Sequence, residues 1–235
     1  MKKLLLISNS TQYGSGFLDH CAQQIKDFLG KDISKLLFVP YAGGDLDGYA
    51  DKVKNRCKDL GYEVDSLHEA ANPKEAVKKA QAIFIGGGNT FRLLNTLYNL
   101  NVMGAIRKRV HQGMPYIGTS AGTNVACISI KTTNDMPIIY PPSFDALNLV
   151  PFNINPHYLD PLPDNKHQGE TREQRIKEFH ELNEPVVVGL KEGTLLRVEG
   201  EKIELLGITG TKIFRKNQSP VEYDPGADLS FLLKK

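Results

Sequence analysis

Along the 235-residue chain, short runs of consecutive apolar residues alternate with longer stretches in which apolar side chains return every three or four positions. A short unbroken run suits a strand buried on both faces, and the longer period suits a helix with one buried stripe. Residues 4–7, 36–39, 62–64, 82–85 and 116–117 are the strand runs, bounded by Gly, Pro or Asn. Helices are predicted between them. Residues 16–29 put Phe17, Leu18, Cys21, Ile25 and Leu29 on one face and stop at Gly30. Residues 46–60 stop in the same way at Gly61, and Asn72-Pro73 opens a third helix with proline in the first turn, where its missing N–H is harmless. Residues 89–99 and 102–111 follow, separated by a break at Leu100-Asn101. Strands alternating with helices predict an α/β fold, a mainly parallel sheet covered on both faces.

After this first half the pattern changes. Residues 136–163 hold seven of the 13 prolines and no helical period, so a long constrained loop is expected there. A helix is predicted over 171–182, a buried strand over 185–190, and a hairpin joining 194–198 to 202–206. With no repeat and no low-complexity linker, a single domain over 1–235 is expected.

Composition narrows the function classes. Lys and Arg number 29 against 27 for Asp and Glu, a net charge of +2, which lacks the basic excess of a phosphate-backbone binder. No nucleic-acid partner is expected. The apolar start after Met1-Lys2-Lys3 ends at Ser8-Asn9-Ser10, short of the roughly 7–15 residues of a signal-peptide core, and no window reaches the roughly 18 apolar residues of a membrane span. Three cysteines without paired spacing argue against a disulfide framework or a thiolate metal site. A cytoplasmic protein without membrane attachment is expected.

The sharpest chemical feature is Gly118-Thr119-Ser120-Ala121-Gly122, a G-x-S-x-G between a predicted strand and a predicted helix over 121–128. Such a turn is tight enough to exclude flanking Cβ atoms and thrusts the serine hydroxyl out at the sheet's carboxyl edge. The N–H of Ala121 then supplies one oxyanion donor. Gly86-Gly87-Gly88-Asn89-Thr90 follows another predicted strand and can supply a second, from Gly88 or Asn89. A serine nucleophile needs a base. Of six histidines, His20, His68, His111 and His180 read as solvated, whereas His157 follows Asn155-Pro156 in the constrained region and His167 comes second. Either Glu192, just beyond the 185–190 strand, or Asp135, beyond the elbow helix, could orient that base.

Together the elbow, the Gly86–Thr90 turn, Asn155-Pro156-His157-Tyr158 and Gly169-Glu170-Thr171-Arg172 closely resemble the peptidase E family of aspartyl dipeptidases, over essentially the whole chain. The resemblance implies a three-layer α/β/α sandwich like the class I glutamine amidotransferases, a flavodoxin-like arrangement, with serine in place of their elbow cysteine. It also implies a cytosolic hydrolase, free of metal and cofactor, that removes an N-terminal aspartate from dipeptides and short Asp-X peptides. Carried over, Ser120 is the nucleophile, His157 its base, and Glu192 or Asp135 the third member, with Glu192 favoured by its strand-end position. Substrate is expected to meet Asn89, Arg172 and Arg175, since a β-carboxylate calls for a bidentate cation. A monomer or homodimer fits. Two rivals are a cyanophycinase-like hydrolase and a non-catalytic binder of acidic amino acids.

Overall fold

A computed structural model describes residues 1–160 and 169–234. Its first strand, β1 (Lys3–Ile7), shows how the apolar runs work: Leu4 and Leu6 enter one core while Leu5 and Ile7 enter another across the sheet, all fully buried. Burial of each such side chain contributes about 1.5–3 kcal/mol. The chain continues through α1 (Ala22–Leu29), β2 (Lys35–Val39), α2 (Leu46–Leu60), β3 (Glu63–Ser66), α3 (Pro73–Lys79), β4 (Ala82–Ile85), α4 (Thr90–Asn99), α5 (Met103–His111) and β5 (Tyr116–Thr119). After α6 (Ala121–Asn124) come β6 (Asn153–Tyr158), α7 (Arg172–Leu182), β7 (Val187–Lys191), β8 (Thr194–Glu199), β9 (Lys202–Gly207), β10 (Thr211–Phe214) and β11 (Val221–Tyr223).

The larger sheet runs β3-β2-β4-β5-β1-β8-β9. Its first five strands pair in parallel, and the β8–β9 hairpin adds two antiparallel strands beside β1. Helices α1 and α2 cover one face, and α3 to α6 cover the other. The α/β class, with a mainly parallel sheet between helical layers, is therefore the observed one. Side-chain caps set the helix starts: Asp45, Asn72 and Asn89 each accept an N–H of the first turn, and Thr171 forms a capping box with Gln174. None of the described helices is long and apolar enough to cross a membrane.

Four features depart from the sequence pattern. The first helix begins later than residue 16, because the chain loops back to pair Phe17 with Thr11, and Leu18 turns left-handed at φ +59° before a 3-10 turn at Asp19–Cys21. The elbow helix spans Ala121–Asn124 and not 121–128. Beyond it the carbonyls of Val125, Ala126, Cys127 and Ile128 accept N–H groups from residues 146–149, which compete with helical continuation. The 136–163 stretch is not all loop, since it contains β6. Pro156 hid that strand, and it is tolerated because β6 lies at an edge of a second sheet ordered β11-β10-β7-β6. This second sheet is the fourth departure. Ile154, Val188, Leu190 and Ile213 join the same core as β1 and α4, and α7 packs on the opposite side against Tyr158, Val187 and Phe214.

Candidate active site

Strands β4, β5 and β1 lie side by side in parallel, so the turns leaving their carboxyl ends converge. Ser120 leaves β5 at φ +51° and ψ −107°, a conformation that costs a side-chain-bearing residue about 1–3 kcal/mol. Its surroundings hold it there. Ser120 N–H donates to Ile7 O at 3.0 Å, and Thr123 Oγ1 reaches Ile7 O at 2.7 Å and Gly118 O at 2.9 Å. The elbow glycines are required by close approach: a Cβ on Gly122 would sit 2.0 Å from Ile85 O, and one on Gly118 would sit 2.5 Å from Gly122 O.

His157 reaches this serine from β6. Its Nε2 lies 2.9 Å from Ser120 Oγ, and its Nδ1 lies 2.6 Å from Glu192 Oε1. An ionised carboxylate only accepts hydrogen bonds, so Nδ1 carries the proton toward Glu192 and Nε2 is left to accept from the serine hydroxyl. Glu192 stands in the Glu192-Gly193 turn between β7 and β8, where one sheet hands the chain to the other. The structure thus brings Ser120, His157 and Glu192 into one hydrogen-bonded line. Asp135 is elsewhere: its Oδ2 accepts from Thr90 N–H at 2.7 Å, Thr90 Oγ1 at 2.6 Å and Thr133 Oγ1 at 3.1 Å, so it serves the first turn of α4 and not the imidazole.

In the glycine turn, Gly87 N–H donates to the Tyr49 hydroxyl at 2.9 Å and Asn89 N–H donates to Ala42 O at 2.9 Å. Among the described residues Gly88 N–H has no such acceptor, which removes Asn89 from the two donors considered for an oxyanion. Ala121 N–H, in the opening turn of α6, is likewise outside the helical ladder. Burial pushes the Tyr49 phenol up to about 12, so it stays protonated. Tyr49 lines a cleft of about 400 Å³ with Ser10, Phe17, Lys52, Gly87, Gly88, Ser120 and His157. That size falls within the roughly 300–1,000 Å³ of small-molecule sites.

The substrate-side residues separate. The Asn89 side chain caps α4 and donates to Met136 O at 2.9 Å, tying the glycine turn to the segment after Asp135. Arg172, at the start of α7, is half-buried; burial and the neighbouring Arg175 lower its pKa, and Asp135 opposes that. Arg175 is exposed and pairs with Glu170 at 3.7 Å. His167 lies outside the described residues.

Three other histidines are less solvated than their sequence neighbours imply. His180 is buried with Nε2 3.0 Å from Pro185 O, and His68 bridges Ser66 and Asp47. Burial lowers the pKa of His20 against the backbone of Asn9 and the charges of Asp19 and Glu192. Sequence reasoning missed Tyr49, Ser8 and Asn9. Their signal for the last two was a polar pair at the carboxyl end of a parallel strand, the place where α/β sites assemble.

A family model described as peptidase family S51 matches residues 4–206. A "probable alpha-aspartyl dipeptidase" of Drosophila melanogaster is 50% identical over 236 residues, covering 100% of this chain and 98% of its own. A "peptidase E" of Streptomyces coelicolor is 50% identical, over 98% of this chain and 94% of its own. Among solved structures, a peptidase from an acI-B1 actinobacterium superposes with a TM-score of 0.73 at 21% identity, covering 98% of this chain and 97% of that one.

Proposed function

The chain belongs to peptidase family S51, and from that premise we propose that it releases the N-terminal aspartate of dipeptides and short Asp-X peptides, with Ser120 as nucleophile, His157 as base and Glu192 as its orienting partner. Membership makes it a hydrolase of the serine peptidase class, and its end-to-end likeness to dipeptidases does not favour a cyanophycinase-like hydrolase or a non-catalytic binder. The observation that carries the assignment is the line Ser120 Oγ, His157, Glu192, with contacts of 2.9 and 2.6 Å.

In the proposed cycle, Ser120 Oγ attacks the carbonyl carbon of the aspartyl residue while His157 Nε2 takes the hydroxyl proton. Negative charge on the carbonyl oxygen is held by the N–H groups of Gly88 and Ala121. His157 then gives its proton to the departing amine, leaving an aspartyl ester on Ser120. Water, deprotonated by the same nitrogen, attacks that ester, and Ser120 recovers its proton as aspartate leaves. Glu192 keeps the proton on Nδ1 and offsets the positive charge that the ring acquires. Arg172 is assigned to the substrate β-carboxylate. A half-buried guanidinium that loses this partner is left with an unpaired charge, so a site built around it rejects apolar side chains. The enzyme is proposed to work in the cytoplasm as monomer or homodimer, without cofactor or nucleic acid.

The test pairs a panel of Asp-Leu, Glu-Leu, Asn-Leu and Ala-Leu with a fluorophosphonate probe. Hydrolysis confined to Asp-Leu, with Ser120 as the labelled residue, is the expected result. A folded protein that neither cleaves Asp-Leu nor takes the label on Ser120 would sink the proposal.

A further inference from the structure

We propose that Ser8 and Asn9, the two residues that follow β1, are positioning residues for this hydrolysis: Ser8 fixes His157 through its backbone, and Asn9 fixes the turn that carries Glu192. The inference rests on the assignment of His157 and Glu192 made above.

His157 is set in place by something other than the strand ladder. The register between β6 and β7 shifts from Pro156 opposite Leu190 to Tyr158 opposite Lys191, which leaves His157 as the extra, bulged residue. It also has φ +54°, a left-handed conformation that L-residues avoid. A bulge re-aims a side chain and removes its residue from regular pairing. The N–H of His157 instead donates to Ser8 Oγ at 2.9 Å, and the same hydroxyl donates to Leu190 O at 2.8 Å. Ser8 is fully buried, and its own N–H donates to Thr194 O at 3.0 Å. One hydroxyl therefore locks the bulge to the end of β7 and to β1, and β1 also receives Ser120 N–H at Ile7 O. Nucleophile and base are referred to adjacent residues, Ile7 at the end of β1 and Ser8 just beyond it.

Asn9 does for the carboxylate what Ser8 does for the imidazole. It is buried, its Oδ1 accepts Gly193 N–H at 2.8 Å, and its Nδ2 donates to Thr11 O at 2.8 Å. Gly193 has φ +79°, and its carbonyl accepts Ile208 N–H at 3.0 Å, while the Glu192 carbonyl accepts the Thr209 hydroxyl. The two-residue turn is thereby pinned on both sides. Misplacing a catalytic group by 1 Å costs about a hundredfold in rate, so a lost pin should be read in turnover.

The experiment is a pair of double-mutant cycles on the full chain with Asp-Leu, assayed well below each variant's melting temperature. Ser8→Ala and Asn9→Ala are each expected to lower kcat about 10- to 100-fold with KM within about threefold. Ser8→Ala should add less than about twofold when His157 is already Ala, and Asn9→Ala less than about twofold when Glu192 is already Ala, because each acts only through its partner. Turnover above half the parental value in both single variants overturns the proposal. So does a loss that persists undiminished in the double mutants. Should Ser8→Ala fail to fold, the Asn9–Glu192 cycle decides. Wild-type turnover in His157→Ala and Glu192→Ala would instead remove the underlying assignment, so the two failures are distinct.

Discussion

Gly88→Ala tests the oxyanion assignment at a single atom. The added Cβ would lie 2.4 Å from Ala42 O and 2.6 Å from Ala42 C, with backbone and not a flexible side chain as the obstacle. Carbon-to-oxygen contacts settle near ~3.3 Å, so the turn has to move by nearly ~1 Å. Residue 88 also holds φ +133°, which no alanine adopts without strain. Oxyanion donors act at about 2.7–3.1 Å, and loss of one costs about 10²- to 10³-fold in kcat, or about 2.7–4 kcal/mol. Gly88→Ala is therefore expected to lower kcat on Asp-Leu by that factor while KM changes little. The same movement weakens the bond from Asn89 N–H to Ala42 O, so the melting temperature should fall by a few degrees; for a chain of this size each 1 kcal/mol is worth about 2–4 °C. The assay is steady-state hydrolysis at 25 °C beside a thermal melt, with Gly44→Ala as a nearby control. A folded Gly88→Ala enzyme with kcat within threefold of the parent refutes the role given to this N–H.

Glu192→Gln keeps the shape of the carboxylate but lets the amide favour the wrong imidazole tautomer, and kcat is expected to fall by about 10³- to 10⁴-fold; Asp135→Asn should retain turnover within about tenfold and lose about 1–2 kcal/mol of stability in a denaturant titration, as for a lost helix cap. Equal losses of kcat in the two would put Asp135 back in contention. Arg172→Ala should cut kcat/KM for Asp-Leu at least about 100-fold while fluorophosphonate labelling of Ser120 stays within about threefold, and Arg175→Ala should leave both unchanged. For pH, burial raises the Asp160 carboxyl, but hydrogen bonds and charge from Lys191 and Lys212 outweigh it and hold the group below the ordinary carboxylate range. Its stabilisation is then complete above the unfolded value near ~3.9 and is lost as pH falls through the folded one, so Asp160→Asn should flatten the drop in melting temperature on acidification below about pH 4. An unchanged slope in Asp160→Asn would show that other carboxylates set the acid limb.

What the sequence revealed follows from the range of the interactions involved. The parallel half was readable because β1, β2 and β4 are buried on both faces and appear as unbroken apolar runs, and because Asp45 and Asn72 cap their helices locally. Of the second sheet only β7 was readable, as the buried run over 185–190. β6 contains Pro156, and β10 and β11 are only 4 and 3 residues long, too short to show a period. Ser120 announced itself through glycines that its own turn demands. His157 and Glu192 carried no comparable mark, since each is aimed by partners 149 and 184 positions away, at Ser8 and, through Gly193, at Asn9. Spacing left Asp135 open beside Glu192 for the same reason, with only the strand-end position favouring Glu192; contacts with Thr90, 45 positions distant, and Thr133 on one side and with His157 on the other separate them.

The second sheet also explains why the proposed triad draws on residues so far apart. A serine elbow on β5 is complete within a single βα turn, but its base has to approach from outside the parallel sheet, over the carboxyl ends of the strands. β6 supplies that approach, and its parallel pairing with β7 brings His157 and the end of β7 to the same level. β7 then crosses directly into β8 through Glu192-Gly193, and β8 pairs with β1 from Lys3 opposite Glu199 to Ile7 opposite Leu195. The carboxylate therefore sits at the point where the chain passes from the small sheet to the large one, level with the end of β1. His157 and Glu192 both come from the small-sheet side, so a sliding of one sheet against the other would displace base and carboxylate together relative to Ser120. The buried side chains of Ser8 and Asn9 bond across that junction, to Leu190 O and His157 N–H and to Gly193 N–H, and a satisfied buried polar network of this kind fixes a single arrangement.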